Sequence, residues 1–472
     1  MPSGAPSVRA PVPGTERLAG WLGWGAVLLA LLRFARLGDW GLWIDEAHTL
    51  HDAVRLFDGR PITYPLGYLA VRAAMALRGG AVDEATLRLA PALFGALSIP
   101  VTAWALRPGL GRLAANGAAF LMGASAWHLY WSQNARGYSL ALLLVVLGLG
   151  LWMRGLTAGR AWLLMAGIAV TALSAFSHPS GALLLPGLVL APLVLVGLRI
   201  EGVPRPPVKV LVGIALVAGV ALSNWALRVW ARHEFVKPGA SWGHLIKTCG
   251  WYMGPLTLGA AGWGTLLTLR ERRPAPLALA VVGATAGALA LLASLQTVVS
   301  AQYVFVVFPY LLAAAAWPLA RLGSGWRPAL WIALLALPGL AESALYMTVR
   351  HGDRPRWREA YGWVREARGE DDLVFGAHAP VGEYYLQPGE LDLRTHMGLL
   401  RLTERTLPQL DLWRRRGRRV WLVVNPEDLM AWTPPARAEF QRLLDEQAVL
   451  EVEFGVPYTP RDLRVRVYRL EG

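Results

Sequence analysis

Cysteine is almost absent from this 472-residue chain, which holds only Cys249. A single cysteine excludes an intrachain disulfide and any metal cluster built on several thiolates. Charged residues are also scarce, at 17% of the chain, whereas 55% of the residues are hydrophobic. This balance excludes an ordinary soluble globular protein and is typical of a polytopic α-helical membrane protein.

Acidic residues are fewer than basic ones: 46 Lys and Arg residues outnumber 32 Asp and Glu residues, for a formal net charge of +14. Such an excess can indicate a nucleic-acid partner. Here, however, the arginines lie mostly in short loops between apolar segments, which is the bias of cytoplasmic loops in membrane proteins. We therefore expect membrane lipids and no nucleic acid as partners, in the inner or plasma membrane of a cell.

The apolar runs predict about eleven membrane-spanning helices. They cover residues 18–37, 87–106, 113–131, 139–153, 161–176, 181–197, 210–227, 251–269, 276–295, 303–320 and 330–347. Residues 1–17 contain no convincing cleavage site, so we predict that the first run is retained as a span. The run at 64–77 is shorter than the ~20 residues of a span and contains Arg72. We predict a helix lying in the membrane interface there.

This choice fixes the orientation of the chain. With 64–77 outside the count of spans, each predicted inner loop carries at least two basic residues, as the positive-inside rule requires. The N-terminus is then cytoplasmic and the C-terminal region extracytoplasmic. No internal repeat of the kind found in many transporters is evident.

Residues 350–472 differ from the rest, because charge increases and the apolar runs shorten. We predict helices at 357–367, 408–415 and 436–444, and strands at 373–375, 420–424, 449–454 and 463–468. This alternation is typical of a small α/β domain. The sequence thus predicts a membrane domain at 1–349, with a first external loop at 38–86, and an extracytoplasmic domain at 350–472.

An acidic pair, Asp45-Glu46, follows directly on the first predicted span and is flanked by Trp40 and Trp43. Tryptophan commonly sits at the level of the lipid headgroups. A carboxylate held beside the bilayer suits proton transfer from a substrate that meets a lipid-borne partner. An ordinary pair of solvated loop carboxylates is the alternative. We predict that a short amphipathic helix follows at 48–60.

On the predicted topology, cationic and imidazole groups lie on the same side of the membrane as this pair. The candidates for binding a phosphate are Arg136, His178, Tyr64, Tyr138, Arg88 and Lys237, with His48, His51, His233 and His244 on the same face. Arginine or lysine would neutralise a departing phosphate, and histidine could donate to it or ligate a divalent cation. Two alternatives are that His178 only caps a span end and that Arg136 only snorkels to the interface.

Several motifs resemble those of GT-C membrane glycosyltransferases, a superfamily that includes protein O-mannosyltransferases, the lipid A aminoarabinose transferase and the RgtA/B/C/D-like group. Residues 43–49, Trp-Ile-Asp-Glu-Ala-His-Thr, resemble the Asp-Glu motif of the first loop in that family. Similar family runs are found at 64–68 (Tyr-Pro-Leu-Gly-Tyr), 87–95 (Leu-Arg-Leu-Ala-Pro-Ala-Leu-Phe-Gly), 132–138 (Ser-Gln-Asn-Ala-Arg-Gly-Tyr), 177–178 (Ser-His) and 357–360 (Trp-Arg-Glu-Ala).

The resemblance implies a GT-C fold, a polyprenyl-phosphate-linked sugar donor, inversion at the anomeric carbon and an active site facing away from the cytoplasm. It also implies that Asp45 is the general base and Glu46 its neighbour, so that substitution of Glu46 is expected to be milder. The acceptor, whether lipid, glycan or protein, is left open.

Three positions depart from the family pattern. Asn134 and Gln302 stand where Glu and Arg are common, and Thr63 stands where the aminoarabinose transferase has a metal-binding glutamate. These departures weaken the case for a divalent cation and remove one phosphate contact. The rival interpretation is a non-catalytic lipid or glycan transporter, or a protein that only binds carrier lipid. A transporter would place its essential charges near the midplane of the membrane, whereas the acidic pair lies at a predicted span end, which favours the glycosyltransferase.

Overall fold

The fold was analysed in a computed structural model, which describes residues 13–59, 64–200, 212, 241–376, 378–386, 399–459 and 461–470. Most of this part is helical. The N-terminal helices are Pro13–Leu31 (α1), Ile44–Val54 (α2), Pro65–Leu77 (α3), Glu84–Ala124 (α4), Ala126–Ser132 (α5), Tyr138–Ala158 (α6), Ala161–Leu173 (α7) and Leu185–Gly197 (α8). After residue 240 come Trp242–Met253 (α9), Pro255–Glu271 (α10), Pro274–Ser294 (α11), Phe308–Ala316 (α12) and Trp326–Thr348 (α13).

The long helix α4 is a hairpin of two antiparallel halves that turn at Gly111. Gly111 has φ 80° and ψ 171°, a conformation that only glycine adopts readily. The Thr102 hydroxyl lies 3.4 Å from the Met122 sulfur, and the Ser98 hydroxyl lies 2.9 Å from the His128 imidazole. Residues before and after Gly111 therefore pair in reverse order. The predicted spans at 87–106 and 113–131 are these two halves, the second continuing into α5.

Seven helices of the described part are long and apolar enough to cross a membrane. Counted with their flanking 3₁₀ turns, these are Gly14–Phe34, Glu84–Ala124, Tyr138–Ala158, Pro179–Gly197, Pro274–Ser294, Ala301–Ala320 and Trp326–Thr348. They cover all or most of the predicted spans at 18–37, 87–106, 113–131, 139–153, 181–197, 276–295, 303–320 and 330–347. The run Ala161–Phe176 is a shorter apolar helix, and the span predicted at 251–269 is replaced by α10, which has 17 residues. The span predicted at 210–227 lies almost wholly outside the described residues. The chain is a multi-pass membrane protein, and the number of spans stays a prediction.

Helix α3 has 13 residues and begins with Pro65, which suits the first turn of a helix. At 1.5 Å per residue such a helix is too short for the ~30 Å hydrocarbon core. Its length agrees with the interfacial helix that the sequence predicts. The guanidinium of Arg72 donates 2.9 Å to the carbonyl of Val54 and so caps the C-terminal end of α2.

The C-terminal region folds as a five-stranded sheet with helices. The additional helices are Trp357–Ala367 (α14), Ala379–Leu386 (α15), Leu407–Arg415 (α16) and Pro434–Gln447 (α17). The strands are Leu373–Gly376 (β1), Leu399–Arg401 (β2), Val420–Val424 (β3), Ala448–Phe454 (β4) and Val465–Leu470 (β5), in the spatial order β2-β1-β3-β5-β4. Strand β1 is parallel to β2 and β3, and β5 is antiparallel to β3 and β4.

All the helices and strands predicted for this region are present in the structure. The sequence missed α15 and β2, because eight and three residues are too few to show a clear hydrophobic period. One apolar cluster joins this region to residues between α1 and the start of α4, with Leu42, Leu50 and Leu87 packed among Trp357, Tyr361 and Val465. The first loop and the sheet domain therefore share a core, and this packing sets the geometry of the acidic pair.

Candidate functional site

Helix α2 begins at Ile44, so Asp45 and Glu46 lie in its first turn. The sequence predicted a helix only from residue 48, with the acidic pair in the preceding loop, and this boundary was wrong. The backbone N–H of Trp43 donates 2.8 Å to the Glu46 carboxylate, which satisfies a donor at the helix start. Two carboxylates in the first turn also interact favourably with the helix dipole. The sequence signal that could have located this helix start is an acidic residue, Glu46, three positions after Trp43.

Glu46 is fully buried and is the centre of a polar network. Its two carboxylate oxygens accept from Arg88 Nε at 2.8 Å and Nη2 at 2.7 Å. Arg354 Nε donates from 3.3 Å and the backbone N–H of Ala135 from 2.9 Å. Burial by itself raises the pKa of Glu46, but the Arg88 and Arg354 guanidiniums outweigh it and hold that pKa at about 2. Glu46 is therefore ionised and joins three separate parts of the chain.

Arg88 was predicted to bind phosphate, and the structure gives it a different role. It is fully buried, and besides Glu46 its guanidinium donates to the carbonyls of Leu37, Trp40 and Gly41 at 2.7–2.9 Å. All five N–H donors of the side chain are thus engaged. No donor is left for a phosphate, so we assign Arg88 to holding the first loop.

Residues of the sheet domain hold the same loop from the other side. Arg354 donates 2.5 Å to the carbonyl of Gln133, and Arg358 contacts the Glu84 carboxylate at 2.7 Å. The hydroxyl of Tyr385 accepts from the backbone N–H of Leu42 at 2.6 Å and donates to Glu84 at 2.8 Å. The motif around Trp357 pointed to Arg358, but nothing in the sequence pointed to Arg354 or Tyr385.

Trp40 was expected at the headgroup level, but its side chain packs inside the protein and is not available to contact lipid. Only 2% of Trp40 is exposed, and its ring packs edge-on against Tyr346 with 5.1 Å between the ring centroids. Gly352 has φ 63°, and a Cβ there would lie 2.6 Å from the Trp40 ring. The turn at Gly352 therefore lets the start of the sheet domain pass close over Trp40.

We predict that Tyr385→Phe destabilises the protein by about 1–3 kcal/mol, because the buried N–H of Leu42 then has no acceptor. The measurement is denaturant unfolding of the detergent-solubilised protein. Tyr384→Phe is the matched control: its hydroxyl donates 2.9 Å to the carbonyl of Val82 from a half-buried position that water can reach. An equal effect of the two substitutions would contradict a special role for Tyr385.

Asp45 faces the other way from Glu46. Its side chain is 48% exposed, and one oxygen lies 3.8 Å from Nε of Arg136. Arg136 Nη1 also donates 3.3 Å to the Thr49 hydroxyl, one turn further along α2. Burial lowers the pKa of Arg136, but the neighbouring groups, of which the Asp45 carboxylate contributes most, together outweigh burial, so that pKa stays raised and the group charged. A carboxylate open to solvent thus stands beside a fixed cation.

His178 lies next to Arg136, in a ring of tyrosines. Its ring centroid is 3.9 Å from that of Tyr138, 6.0 Å from Tyr64 and 6.1 Å from Tyr303. Burial and, after it, the Arg136 charge keep the pKa of His178 well below its usual value. The backbone N–H of Ser180 donates to Nδ1 at 3.3 Å. In the neutral ring the proton is then on Nε2, for which the hydrogen bonds among the described residues include no acceptor.

Gly137, in the motif at 132–138, permits the approach of His178. The Ser177 hydroxyl donates 2.7 Å to the carbonyl of Gly137. A Cβ at Gly137 would lie 2.1 Å from the Ser177 carbonyl oxygen. No other residue leaves room for this contact, so Gly137 brings the segment before α8 against the start of α6.

The structure thus brings together five of the predicted site residues: Asp45, Arg136, His178, Tyr64 and Tyr138. Glu46 and Arg88 form the buried network behind them. Lys237 and His233 lie outside the described residues. His48 and His51 lie on α2, the latter with Nδ1 3.6 Å from the Asp52 carboxylate, and His244 is exposed at the start of α9.

A divalent cation finds few ligands here. Among the described residues no three His, Cys, Asp or Glu side chains lie close enough to hold a metal ion. Asn134 is buried, and neither polar atom of its amide has a hydrogen-bond partner among the described residues. Thr63 lies outside those residues. The described side chains do not fit a metal site, so the divalent cation stays a prediction and we derive no chemical step from one.

Comparison with known proteins gave solved structures alone: no family model and no curated protein matches the sequence. ArnT from Cupriavidus metallidurans, solved bound to undecaprenyl phosphate, is 18% identical, with a TM-score of 0.54, over 96% of this chain and 98% of that one. Its apo form gives a TM-score of 0.57. The oligosaccharyltransferase AglB from Archaeoglobus fulgidus, solved with an inhibitory peptide and a dolichol-phosphate, is 12% identical. Its TM-score is 0.54, over 96% of this chain and 74% of that one. The chain therefore has the fold of GT-C membrane transferases, as its motifs predicted.

Proposed function

We propose that this protein is a glycosyltransferase that moves a hexose or pentose from a polyprenyl-phosphate-linked donor to an acceptor hydroxyl at the extracytoplasmic face. The observation that carries the proposal is the contact of the half-exposed Asp45 with Arg136. Asp45 lies in the first turn of α2, which the buried ion pairs of Glu46 hold in place. The structural neighbours support it, since ArnT was solved with undecaprenyl phosphate and AglB with dolichol-phosphate.

Asp45 would act as the general base. It accepts the proton of the acceptor hydroxyl as that oxygen attacks the anomeric carbon. The bond between that carbon and the phosphate oxygen breaks on the opposite side, so the configuration inverts. An exposed ion pair such as Asp45–Arg136 is worth only about 0–1 kcal/mol. It can therefore open to admit the hydroxyl at little cost.

The phosphate that departs carries the charge that develops in the transition state. Arg136 supplies a positive charge, and the neutral imidazole of His178 offers its Nε2 proton to a phosphate oxygen. Tyr138 and Tyr64, whose rings pack on His178, are the other candidates to line this site. Whether Lys237 joins them stays a prediction.

We predict that Arg136→Ala weakens binding of the polyprenyl-phosphate sugar by about 1.5–3 kcal/mol, roughly 10- to 10²-fold, because a charge-assisted hydrogen bond is lost. Binding of a radiolabelled donor to purified protein in nanodiscs measures this. Arg78→Ala is the control, since Arg78 is 52% exposed and lies 3.7 Å from Asp83, at the far end of α3 from Tyr64. Unchanged affinity in Arg136→Ala would remove Arg136 from the donor site.

The rival is a transporter or carrier-lipid-binding protein without catalysis. The two functions differ in what happens to the donor: a transferase releases polyprenyl phosphate and attaches the sugar, whereas a transporter leaves the donor intact. Incubating the purified protein with envelope extract and a series of labelled polyprenyl-phosphate sugars tests both. Recovery of intact donor from every sugar would favour the rival.

A further inference from the structure

A cavity of about 430 Å³ lies between the membrane helices and the sheet domain, away from the Arg136–His178 cluster. This volume is in the range of small-ligand pockets. The cavity lies at two junctions between helices, Ser125 between α4 and α5 and Gly254 (φ 80°) between α9 and α10, and beside Pro338, a proline inside α13. Its walls are mainly apolar and aromatic, and include Trp127, Tyr252, Leu256, Phe308, Leu312 and Ala336.

One wall of the cavity is formed by α13, which is long and apolar enough to cross a membrane and contributes Leu335 and Ala336. Trp251 and Leu256, at the junction of α9 and α10, are 61% and 56% exposed among the described residues. On α13, Leu334 and Leu337 are 51% and 60% exposed, and large apolar side chains exposed on a membrane helix contact hydrocarbon rather than water. A molecule can thus enter from the bilayer without passing through water.

The other end of the cavity is polar, and its charges are paired. Arg350 pairs with Glu342 and, at 2.6 Å, with Asp353. Arg461 pairs with Glu427 at 2.5 Å. This end therefore offers hydrogen-bonding groups with little net charge. It suits an uncharged polar head better than a phosphate, for which Arg136 is the better partner.

The polar end of the cavity lies close to the segment that precedes Asp45. The Arg461 guanidinium lies 5.0 Å from the centre of the Trp43 ring, and Trp43 precedes Asp45 by two residues. Helix α5 separates the cavity from the Arg136–His178 cluster. Tyr130 lines the cavity, whereas the ring of Trp131 packs against Tyr138, with 4.0 Å between the ring centroids. The cavity thus approaches Trp43 from the side of α5 opposite the phosphate-binding residues.

We propose that this cavity binds the hydrocarbon chain of a lipid acceptor and presents the hydroxyl of its uncharged head to Asp45. The inference rests on the proposed function and names its acceptor class. A free sugar or a peptide would lose water on entering and find few polar partners on these walls. A lipid chain leaves an equally apolar bilayer, so the cavity contributes orientation rather than a large hydrophobic gain.

The test uses two photoreactive probes on the full-length protein in nanodiscs. One is a diacylglycerol with a diazirine in its acyl chain, which carries a free hydroxyl and no charge; the other is a polyprenyl phosphate with a diazirine in its chain. Mass spectrometry maps the labelled peptides. We expect the diacylglycerol to label the segments 250–257 and 335–342 and the polyprenyl phosphate to label elsewhere. The Asp45→Asn protein should give the same map, because occupancy requires no turnover.

Ala336→Phe is expected to fill part of the cavity and to lower labelling of these segments by the diacylglycerol about tenfold, equivalent to about 1.4 kcal/mol. Ala333→Phe, on the same helix but outside the cavity lining, is the control. Leu256→Trp is a second variant, because the exposed position of Leu256 tolerates a larger side chain.

Four results would count against the inference. Labelling of the segments by the polyprenyl phosphate would overturn the acceptor assignment, and labelling spread evenly over lipid-facing helices would overturn the cavity as a site. Sugar transfer by a wild-type protein whose cavity is never labelled would overturn the inference alone. Labelling of the cavity in a wild-type protein that transfers no sugar from any donor would overturn the acceptor role together with the proposed function.

Discussion

Asp45→Asn is expected to bind the donor normally and to lower turnover by about 10²–10⁴-fold, the usual contribution of a positioned general base. Asparagine keeps the shape of the side chain but cannot take the proton of the attacking hydroxyl. The change should appear in kcat rather than in donor affinity, because the base acts in the transition state. Single-turnover release of polyprenyl phosphate from labelled donor measures it.

Because Asp45 is half exposed, Asp45→Asn separates a loss of catalysis from a loss of stability. Its only described ion pair is the 3.8 Å contact with Arg136, so the free energy of unfolding should change by no more than about 0.5 kcal/mol. A normal unfolding midpoint with a greatly reduced rate would then identify a chemical defect. Transfer at the wild-type rate would exclude Asp45 as the base and strengthen the transporter interpretation.

Glu46→Gln is expected to destabilise the protein by about 3–5 kcal/mol, the cost of removing one partner from a buried ion pair. The substitution leaves the guanidiniums of Arg88 and Arg354 buried without a counter-charge. The motif resemblance led us to expect the milder effect at this position. For stability we expect the larger effect from Glu46→Gln and the smaller one from Asp45→Asn, because Glu46 is fully buried and Asp45 is half exposed. Denaturant unfolding of Asp45→Asn and Glu46→Gln side by side measures the difference.

The same residue predicts a pH dependence. The pKa of Glu46 is lowered from 4.5 to about 2 in the folded protein. A lowered folded-state pKa contributes stability that is present above the unfolded value of 4.5 and is lost as the pH falls towards 2. The wild-type protein should therefore lose stability on acidification through this window, and Glu46→Gln should lack that component. Parallel acid profiles of the two proteins would show that the ion pairs do not set the pKa of Glu46.

Much of the site follows from local sequence. The runs at 43–49 and 132–138 identified Asp45, Arg136 and Tyr138, and the short run at 177–178 identified His178; the structure places their side chains together. The roles of Glu46 and Arg88 did not follow from the sequence. Local sequence does not distinguish a catalytic carboxylate from one in a buried ion pair, or a phosphate-binding arginine from one that holds a loop. Only burial distinguishes them, and burial depends on residues more than 300 positions away, such as Arg354.

The sequence by itself determined the class of the protein. The length of each apolar run and the spacing of its apolar residues are local properties, so membrane spans, the short helix α3 and the α/β character of the C-terminal region could be predicted from them. Tertiary structure alone decided the start of α2, the burial of Trp40 and the clamp that Arg354, Arg358 and Tyr385 place on the first loop. These depend on contacts between the sheet domain and a loop far away in the chain, and no local periodicity records a contact at that distance.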